Sequence, residues 1–96
     1  MLIIAGHAQV APERRDEYVA AHVDLVRRAR QAPGCRDVAM TADSLDPGRV
    51  NLFELWDSQE TLDAWRAVAS APNTGIEFTA GDIQLYDVAG VRPPFG

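Results

Sequence analysis

The sequence contains no lysine and only one cysteine, and both scarcities exclude whole classes of protein. All 9 basic residues are arginine, which excludes a lysine nucleophile and Schiff-base chemistry. Cys35 has no second cysteine to pair with, which predicts a reducing, cytoplasmic setting. The 2 histidines and the cysteine match no metal-site spacing, and no phosphate-loop or dinucleotide fingerprint occurs. We therefore expect neither a metal nor a cofactor.

Long hydrophobic runs are also missing. No apolar stretch approaches the ~20 residues needed to cross a bilayer, and the opening "MLIIAGH" lacks the basic start and the length of a signal segment. The net charge of −5 disfavours nucleic acid and anionic membranes as partners. The 96 residues suit a single domain. We predict it at 1–90, followed by a C-terminal tail at 91–96.

The hydrophobic pattern alternates between strand and helix periods. "LIIAGHAQV" has one wholly apolar parity and predicts a strand, whereas the segment after Pro12 shows the spacing of an amphipathic helix. The same criteria give six elements in the order β-α-β-β-α-β, the ferredoxin-like α+β pattern with a four-stranded antiparallel sheet and both helices on one face. The strands are predicted at 2–10, 36–43, 49–56 and 82–89, and the first helix at 12–31.

Turn residues mark the boundaries of these elements. Pro33-Gly34 ends the first helix, because glycine accepts positive φ and proline cannot continue a helix. The "DPG" at 46–48 predicts a tight turn between two strands. The second helix begins with Asp57 or Ser58 as N-cap, and "SAPNTG" at 70–75 ends it.

The predicted sheet is apolar on both faces. The helices can cover only one face, yet Ile3, Phe53 and Leu55 lie on the other. Leaving three such side chains in water forfeits ~1.5–3 kcal/mol each. A second copy of the chain is the simplest cover, so we expect a homodimer.

Beneath the helices, the pattern brings polar and aromatic groups into an apolar layer. An apolar pocket with few convergent polar groups is the usual form of a small-molecule site. Glu54 and His22 are the candidate acid/base residues, and Gly6 leaves space where a larger side chain would fill the core. The candidate ligand-binding residues are Trp56, Trp65, Gly6 and Leu52.

Each candidate also has a purely structural explanation. Trp56 and Trp65 suit core packing. Glu54 can pair with an arginine or reach solvent at the sheet edge. His22 can be a hydrogen-bonded inner histidine. His7 lies on the opposite parity and suits the dimer face, and Cys35 suits a structural thiol.

The passage "VNLFELWDSQETLDAW", with "QAPGC" and "DPGR" before it, resembles the antibiotic biosynthesis monooxygenase (ABM) domain family. The resemblance runs from residue 2 to about 89. Its most specific parts are Glu-x-Trp-x-Ser at 54–58 and Pro-Gly at 33–34. It implies a dimeric α/β barrel, in which two ferredoxin-like units join sheet to sheet.

The resemblance also implies a chemistry. Quinone-forming members oxidise polycyclic aromatic substrates with O₂ and without metal or flavin, and their pocket tryptophan matches Trp56. Their asparagine four residues earlier corresponds to Leu52 here. Haem-degrading relatives share a tryptophan that matches Trp65, but Gly75 replaces their haem-ligating histidine and Gly6 their first-strand asparagine. The resemblance therefore predicts no defined haem site.

The function expected from the sequence is a cofactor-independent monooxygenase acting on a hydrophobic aromatic or polyketide-type small molecule. A general base at residue 54 or 22 would take a phenolic proton, and O₂ would attack the resulting anion. Two alternatives stay open. One is a non-catalytic dimeric ligand-binding module, and the other is a non-oxidative, isomerase-type enzyme using the same acid/base pair.

Overall fold

Four strands form one antiparallel sheet with the helices packed on one face. The computed structural model describes residues 1–95. The strand order β2-β3-β1-β4, with every neighbouring pair antiparallel, is that of the predicted ferredoxin-like α+β fold. The strands are β1 (Leu2–Gln9), β2 (Cys35–Ala42), β3 (Arg49–Trp56) and β4 (Ala80–Asp87). The helical segments are a 3-10 turn (Pro12–Arg14), α1 (Arg15–Ala21), α2 (Val23–Gln31) and α3 (Gln59–Arg66).

The helix predicted as continuous over 12–31 is divided at His22, and the prediction is corrected on this point. His22 Nδ1 lies 2.8 Å from the Tyr18 carbonyl oxygen, the atom that its own backbone N–H would bond in an α-helix. The backbone N–H turns instead to the Val19 carbonyl, at 3.1 Å. A side chain that competes for the i−4 carbonyl disturbs a helix locally. Val26 N–H then bonds the His22 carbonyl, so the helix resumes at once.

The core lies between the helices and the parity of β1 that is apolar throughout. Leu2 and Ile4 of β1 are buried there together with Val38, Trp56 and Leu62. Side chains of opposed residues in neighbouring strands share a face, and Ile4 opposes Glu54 of β3. The face assignment drawn from alternation is therefore confirmed.

The Pro33-Gly34 stop lets the start of α3 approach the end of α2. Gly34 has φ +80, and a Cβ at this position would collide with the Thr61 side chain. The Gly34 carbonyl accepts the Asp57 N–H at 2.8 Å. Ser58 is the N-cap of α3: its Oγ accepts the Thr61 N–H, and Thr61 Oγ1 accepts the Ser58 N–H, each at 3.2 Å.

The β2–β3 connection is held by side-chain hydrogen bonds. The Asp43 carboxylate accepts the Asn51 amide at 2.9 Å and the N–H groups of Asp46 and Leu45. These bonds, that of Asn51 foremost, lower the pKa of Asp43 to about 2. The Arg15 guanidinium donates to the Asp46 carbonyl at 2.9 Å, which ties α1 to the turn.

The sheet face opposite the helices carries an apolar band. Ile3, Leu55 and Tyr86 lie side by side across β1, β3 and β4, and Phe53 lies in the next row. Tyr86 is 53% exposed. The following row is polar and contains His7, as its parity predicts. A single chain leaves this band uncovered.

The rest of the chain is irregular. Segment 67–79 joins α3 to β4 without regular structure, in agreement with the predicted break at 70–75. The division into domain 1–90 and tail 91–96 stays a prediction: 91–95 contain no helix or strand, and Gly96 lies outside the described residues. Within 1–95 no helix is both long and apolar enough to cross a membrane.

Candidate functional site

A cavity of about 180 Å³ lies between α2 and the sheet, and four of the predicted site residues line it. These are His22, Leu52, Glu54 and Trp65. The other wall residues are apolar and come from α2 and β2, among them Leu25, Val38 and Met40. The structure thus places two ionisable side chains, from different elements, in one apolar cavity.

His22 enters this cavity from the break between α1 and α2. It is 6% exposed, and its Nδ1 faces the Tyr18 carbonyl. Because a carbonyl can only accept, Nδ1 carries the hydrogen, which leaves the lone pair of the neutral ring on Nε2. Within residues 1–95 the imidazole makes no hydrogen bond through Nε2. Every buried side-chain nitrogen in this range has a hydrogen-bond partner, so Nε2 is not buried and keeps access to solvent. The nitrogen that can accept a proton is therefore available.

Glu54 is fixed by the tryptophan two residues later on the same face of β3. Trp56 Nε1 donates to Glu54 Oε1 at 2.9 Å. Trp56 is 0% exposed, and it does not line the cavity. Hydrogen bonds to a carboxylate are about twice as strong as neutral ones. Trp56 thus holds Glu54 from within the core.

Trp65 is the aromatic wall of the cavity. Its ring stacks on Trp56 with centroids 6.4 Å apart and planes inclined by 23°. The Arg28 guanidinium lies 5.8 Å from the Trp65 centroid and donates to the Ala69 carbonyl at 2.7 Å. An arginine over an aromatic face is attracted to the ring. Trp65 is thus held from behind by Trp56 and from the side by Arg28, with part of its surface left for the cavity.

The structure places Gly6 against the neighbouring strand β4. This glycine does not line the cavity, and its φ of +153 is one that side-chain-bearing residues rarely adopt. A Cβ on Gly6 would collide with the Asp82 carbonyl and come within 2.7 Å of the Ile83 Cα. The glycine is required by the close approach of β4, and Leu52, its partner in β3, occupies the cavity wall instead.

Tyr18 was not predicted as a site residue, although it lies four positions before His22 on the same helix face. Its ring packs on the His22 ring with centroids 4.3 Å apart, and Phe78 meets its edge at 5.5 Å. Burial raises the pKa of its hydroxyl. The signal in the sequence was the i, i+4 pair of aromatic rings, which periodicity alone assigns to packing.

Cys35 is close enough to Glu54 for their charges to interact. Burial raises the pKa of the thiol, and the negative charges of Glu54 and Asp37 add to the effect. The thiol therefore stays protonated and unreactive at neutral pH, in keeping with a structural cysteine. Within residues 1–95 no three His, Cys, Asp or Glu side chains are grouped as metal ligands.

The family model for antibiotic biosynthesis monooxygenases matches residues 1–70. The chain belongs to the antibiotic biosynthesis monooxygenase family. The ABM match includes β1 to β3 and α3, and so every residue that lines the cavity. The family resemblance drawn from "VNLFELWDSQETLDAW" is confirmed.

Solved structures of similar proteins agree on the fold. A protein from Chloroflexus aurantiacus J-10-fl assigned as an ABM is 23% identical, with 96% of each chain covered and a TM-score of 0.75. One from Deinococcus radiodurans, likewise assigned, is 19% identical over the whole of both chains, with a TM-score of 0.72. The haem-degrading protein MhuD of Mycobacterium tuberculosis, solved with two haems in its active site, is 13% identical; 97% of this chain and all of MhuD are covered, with a TM-score of 0.69.

A curated relative adds little about activity. An uncharacterised protein of Synechocystis sp. is 26% identical over 62 residues, which are 65% of this chain. The matched part spans 42% of that protein's length. The likeness to the solved structures concerns the fold.

Proposed function

We propose that the chain is a cofactor-independent monooxygenase that oxidises a hydroxylated aromatic small molecule in the cavity beside Trp65. The observation that carries this proposal is the placement of His22 and Glu54 in one apolar cavity with an aromatic wall. Membership of the ABM family supports it. The cavity of about 180 Å³ is smaller than the ~300–1,000 Å³ of typical ligand sites. It therefore suits one aromatic ring, and a polycyclic substrate would require the walls to move.

The two ionisable groups have different roles in the proposed reaction. The lone pair of His22 Nε2 takes the phenolic proton, because Nδ1 is committed to the Tyr18 carbonyl. Glu54, held by Trp56, accepts a hydrogen bond from a second hydroxyl group of a dihydroxyaromatic substrate and orients the ring against Trp65. The apolar walls limit the water that reaches the resulting anion.

The chemistry requires only the substrate and O₂. The phenolate donates electrons from the ring carbon para to its oxygen, and a C–O bond to O₂ forms. The ring C–H proton moves to the outer peroxide oxygen and the O–O bond breaks, so the inner oxygen remains as a quinone carbonyl while the outer one departs as hydroxide. With the proton held by His22 this becomes water. The sum is hydroxyarene plus O₂ giving quinone plus water, in which the arene loses four electrons.

The experiment measures oxygen uptake and quinone absorbance with a panel of mono- and dihydroxyaromatic compounds. We expect turnover that falls at least ~100-fold in His22→Gln, the usual size of a lost general base. Glu54→Gln keeps an acceptor for the Trp56 N–H, so it should fold and lose less activity. Glu13→Gln, an exposed carboxylate outside the cavity, is the control.

Two results would redirect the proposal. Tight binding of phenols without oxygen uptake would indicate a ligand-binding module. Unchanged oxygen uptake in His22→Gln would remove the proposed base.

We further propose that the working form is a homodimer. The apolar band of Ile3, Leu55, Tyr86 and Phe53 on the open sheet face supports this, because a contiguous apolar patch of this kind is usually covered. The sheet of one chain does not close on itself. Joining two such faces gives the dimeric α/β barrel that the family resemblance implies.

A further inference from the structure

One arginine of α2 contacts both the aromatic wall of the cavity and the backbone that follows α3. The Arg28 guanidinium lies 5.8 Å from the centroid of the Trp65 ring. Its Nη1 donates to the Ala69 carbonyl at 2.7 Å, and its Nη2 donates to the Ser70 carbonyl at 3.4 Å. A single guanidinium therefore holds the Trp65 ring together with the chain just beyond the helix that carries it.

The guanidinium is itself fixed by a carboxylate of its own helix. Arg28 Nε donates to Asp24 Oδ2 at 2.9 Å, one helical turn away. Because the arginine donors form a rigid planar fork, a bond at Nε sets the directions of both terminal nitrogens. Arg27 also donates to Asp24, at 3.2 Å, but within residues 1–95 it neither stacks on Trp65 nor bonds the carbonyls after α3. The two adjacent arginines thus share one carboxylate and differ in their contact with the wall.

The backbone that Arg28 binds is strained. Ser70 has φ +52, in the left-handed region that residues other than glycine seldom adopt. Such a conformation persists only where its surroundings determine it. The hydrogen bond from Arg28 to the Ser70 carbonyl is one such constraint, and it comes from a different helix. Without the guanidinium, the chain after α3 loses a contact that fixes it against α2, and the Trp65 ring loses its cation.

We propose that Arg28 is the positioning residue for the aromatic wall and holds the Trp65 ring at the angle that a bound aromatic ring requires. Arg28 does not line the cavity, so it acts through Trp65 and touches no ligand. A wall that is fixed beforehand spares the ligand the cost of ordering it. The consequence for binding rests on the proposed function, since it assumes that the cavity holds an aromatic ring.

The first experiment follows Trp65 without any ligand. The stacked indoles of Trp56 and Trp65 couple their electronic transitions, and the resulting far-ultraviolet circular dichroism depends on the angle between the rings. The signal measured is the part of the wild-type spectrum that Trp65→Leu removes. Arg28→Met keeps the aliphatic stem without the cation and should reduce this signal. Arg28→Lys keeps a cation and should restore part of it. Arg27→Met is the matched control and should leave the signal unchanged.

The second experiment is a double-mutant cycle on the affinity for 4-ethylphenol, measured by calorimetry. Arg28→Met should weaken binding about 2- to 5-fold, which is the value of the one cation–π contact that orders the wall. In the Trp65→Leu background the same change should have no further effect, because the ring through which Arg28 acts is absent. In oxygen uptake the KM should rise by the same factor while kcat stays unchanged, since His22 is untouched.

The outcomes separate this inference from the proposed function. If Arg28→Met leaves the circular-dichroism signal unchanged, or if Arg27→Met reduces it equally, Arg28 does not position Trp65. An affinity loss as large in the Trp65→Leu background as in the wild type would show that Arg28 acts by general stabilisation, which also overturns the inference. If the signal falls as expected but the wild type neither binds 4-ethylphenol nor oxidises any phenol, the positioning of Trp65 stands and the proposed function is wrong.

Discussion

The two tryptophans should respond differently to the same substitution, since one is sealed in the core and the other forms a cavity wall. Trp56 is 0% exposed and donates to Glu54. Trp56→Phe removes roughly 40 Å³ of ring, a cavity cost of ~1 kcal/mol. It also removes a hydrogen bond to a charged group, worth about 1.5–3 kcal/mol. Because half-buried Glu54 can regain water, we expect a total loss of ~2–3 kcal/mol in the free energy of unfolding.

Trp65→Phe should act mainly on ligand binding. Trp65 lines the cavity and is only half-buried, so the smaller ring costs less stability. Losing a stacking partner costs ~0.5–1.5 kcal/mol, which weakens affinity by about 2- to 13-fold. Trp56→Phe leaves the Trp65 surface of the cavity in place, so it can change affinity only by altering the position of Glu54.

Both quantities are measured on both variants. For a chain of this length a loss of ~2–3 kcal/mol lowers the midpoint of thermal unfolding by roughly 8–24 °C. The melts are run at one protein concentration, because the midpoint of the proposed dimer would depend on it, and affinity for 4-ethylphenol is taken from calorimetry. If Trp56→Phe weakens binding more than Trp65→Phe while its midpoint stays unchanged, the assignment of core and wall is wrong. If Trp65→Phe alters stability alone, Trp65 is core filler.

Four further predictions concern other parts of the chain. Phe53→Asp should break the dimer and lower stability, because a buried unpaired charge is costly; a wild-type mass of 10.5 kDa by light scattering at low micromolar concentration would refute the dimer itself. Haemin titration should give no sharp, stoichiometric Soret shift, because the family resemblance places Gly75 at the position of the haem-ligating histidine; such a shift, abolished by Trp65→Phe, would contradict this. The pKa of Asp43 is lowered from 3.8 to about 2 in the fold, so its stabilising effect is complete above pH 3.8 and is lost as pH falls through about 2. Asp43→Asn should therefore reduce the fall of the unfolding midpoint between pH 3.8 and about 2. A pH dependence identical to that of the wild type would show that the Asp43 carboxylate contributes nothing. Gly6→Ala should destabilise the chain without changing phenol affinity, since its Cβ would meet the β4 backbone; a fully stable variant would contradict the close approach.

Alternation and turn chemistry sufficed to predict the sheet and its two faces. A strand has period two, so once one parity of β1 is wholly apolar, its burial under the helices follows, and Glu54 must share that side by register. Pro33-Gly34 likewise predicted the end of the helix from local information, namely the backbone conformations that proline and glycine allow. The division of the helix at His22 was not predictable in this way, because it depends on which atom the imidazole bonds.

The candidate site was predicted in part. His22, Glu54, Leu52 and Trp65 could be placed near one another, because helix and strand periods say which face each occupies. Periodicity gives the face of a side chain but not its depth. It therefore could not show that Trp56 lies wholly behind Glu54 while Trp65 reaches the cavity.

What the sequence by itself determined is the ferredoxin-like order, the buried parity and the presence of two ionisable groups under the helices, since each follows from local periods and turn residues. What only the tertiary structure decided is how those groups are used. The reason for glycine at position 6 comes from a strand more than 70 residues later, and a second cavity, at Tyr18, exists because segment 71–78 folds back over α1. These are contacts between residues far apart in the chain, and their geometry depends on packing rather than on any local pattern.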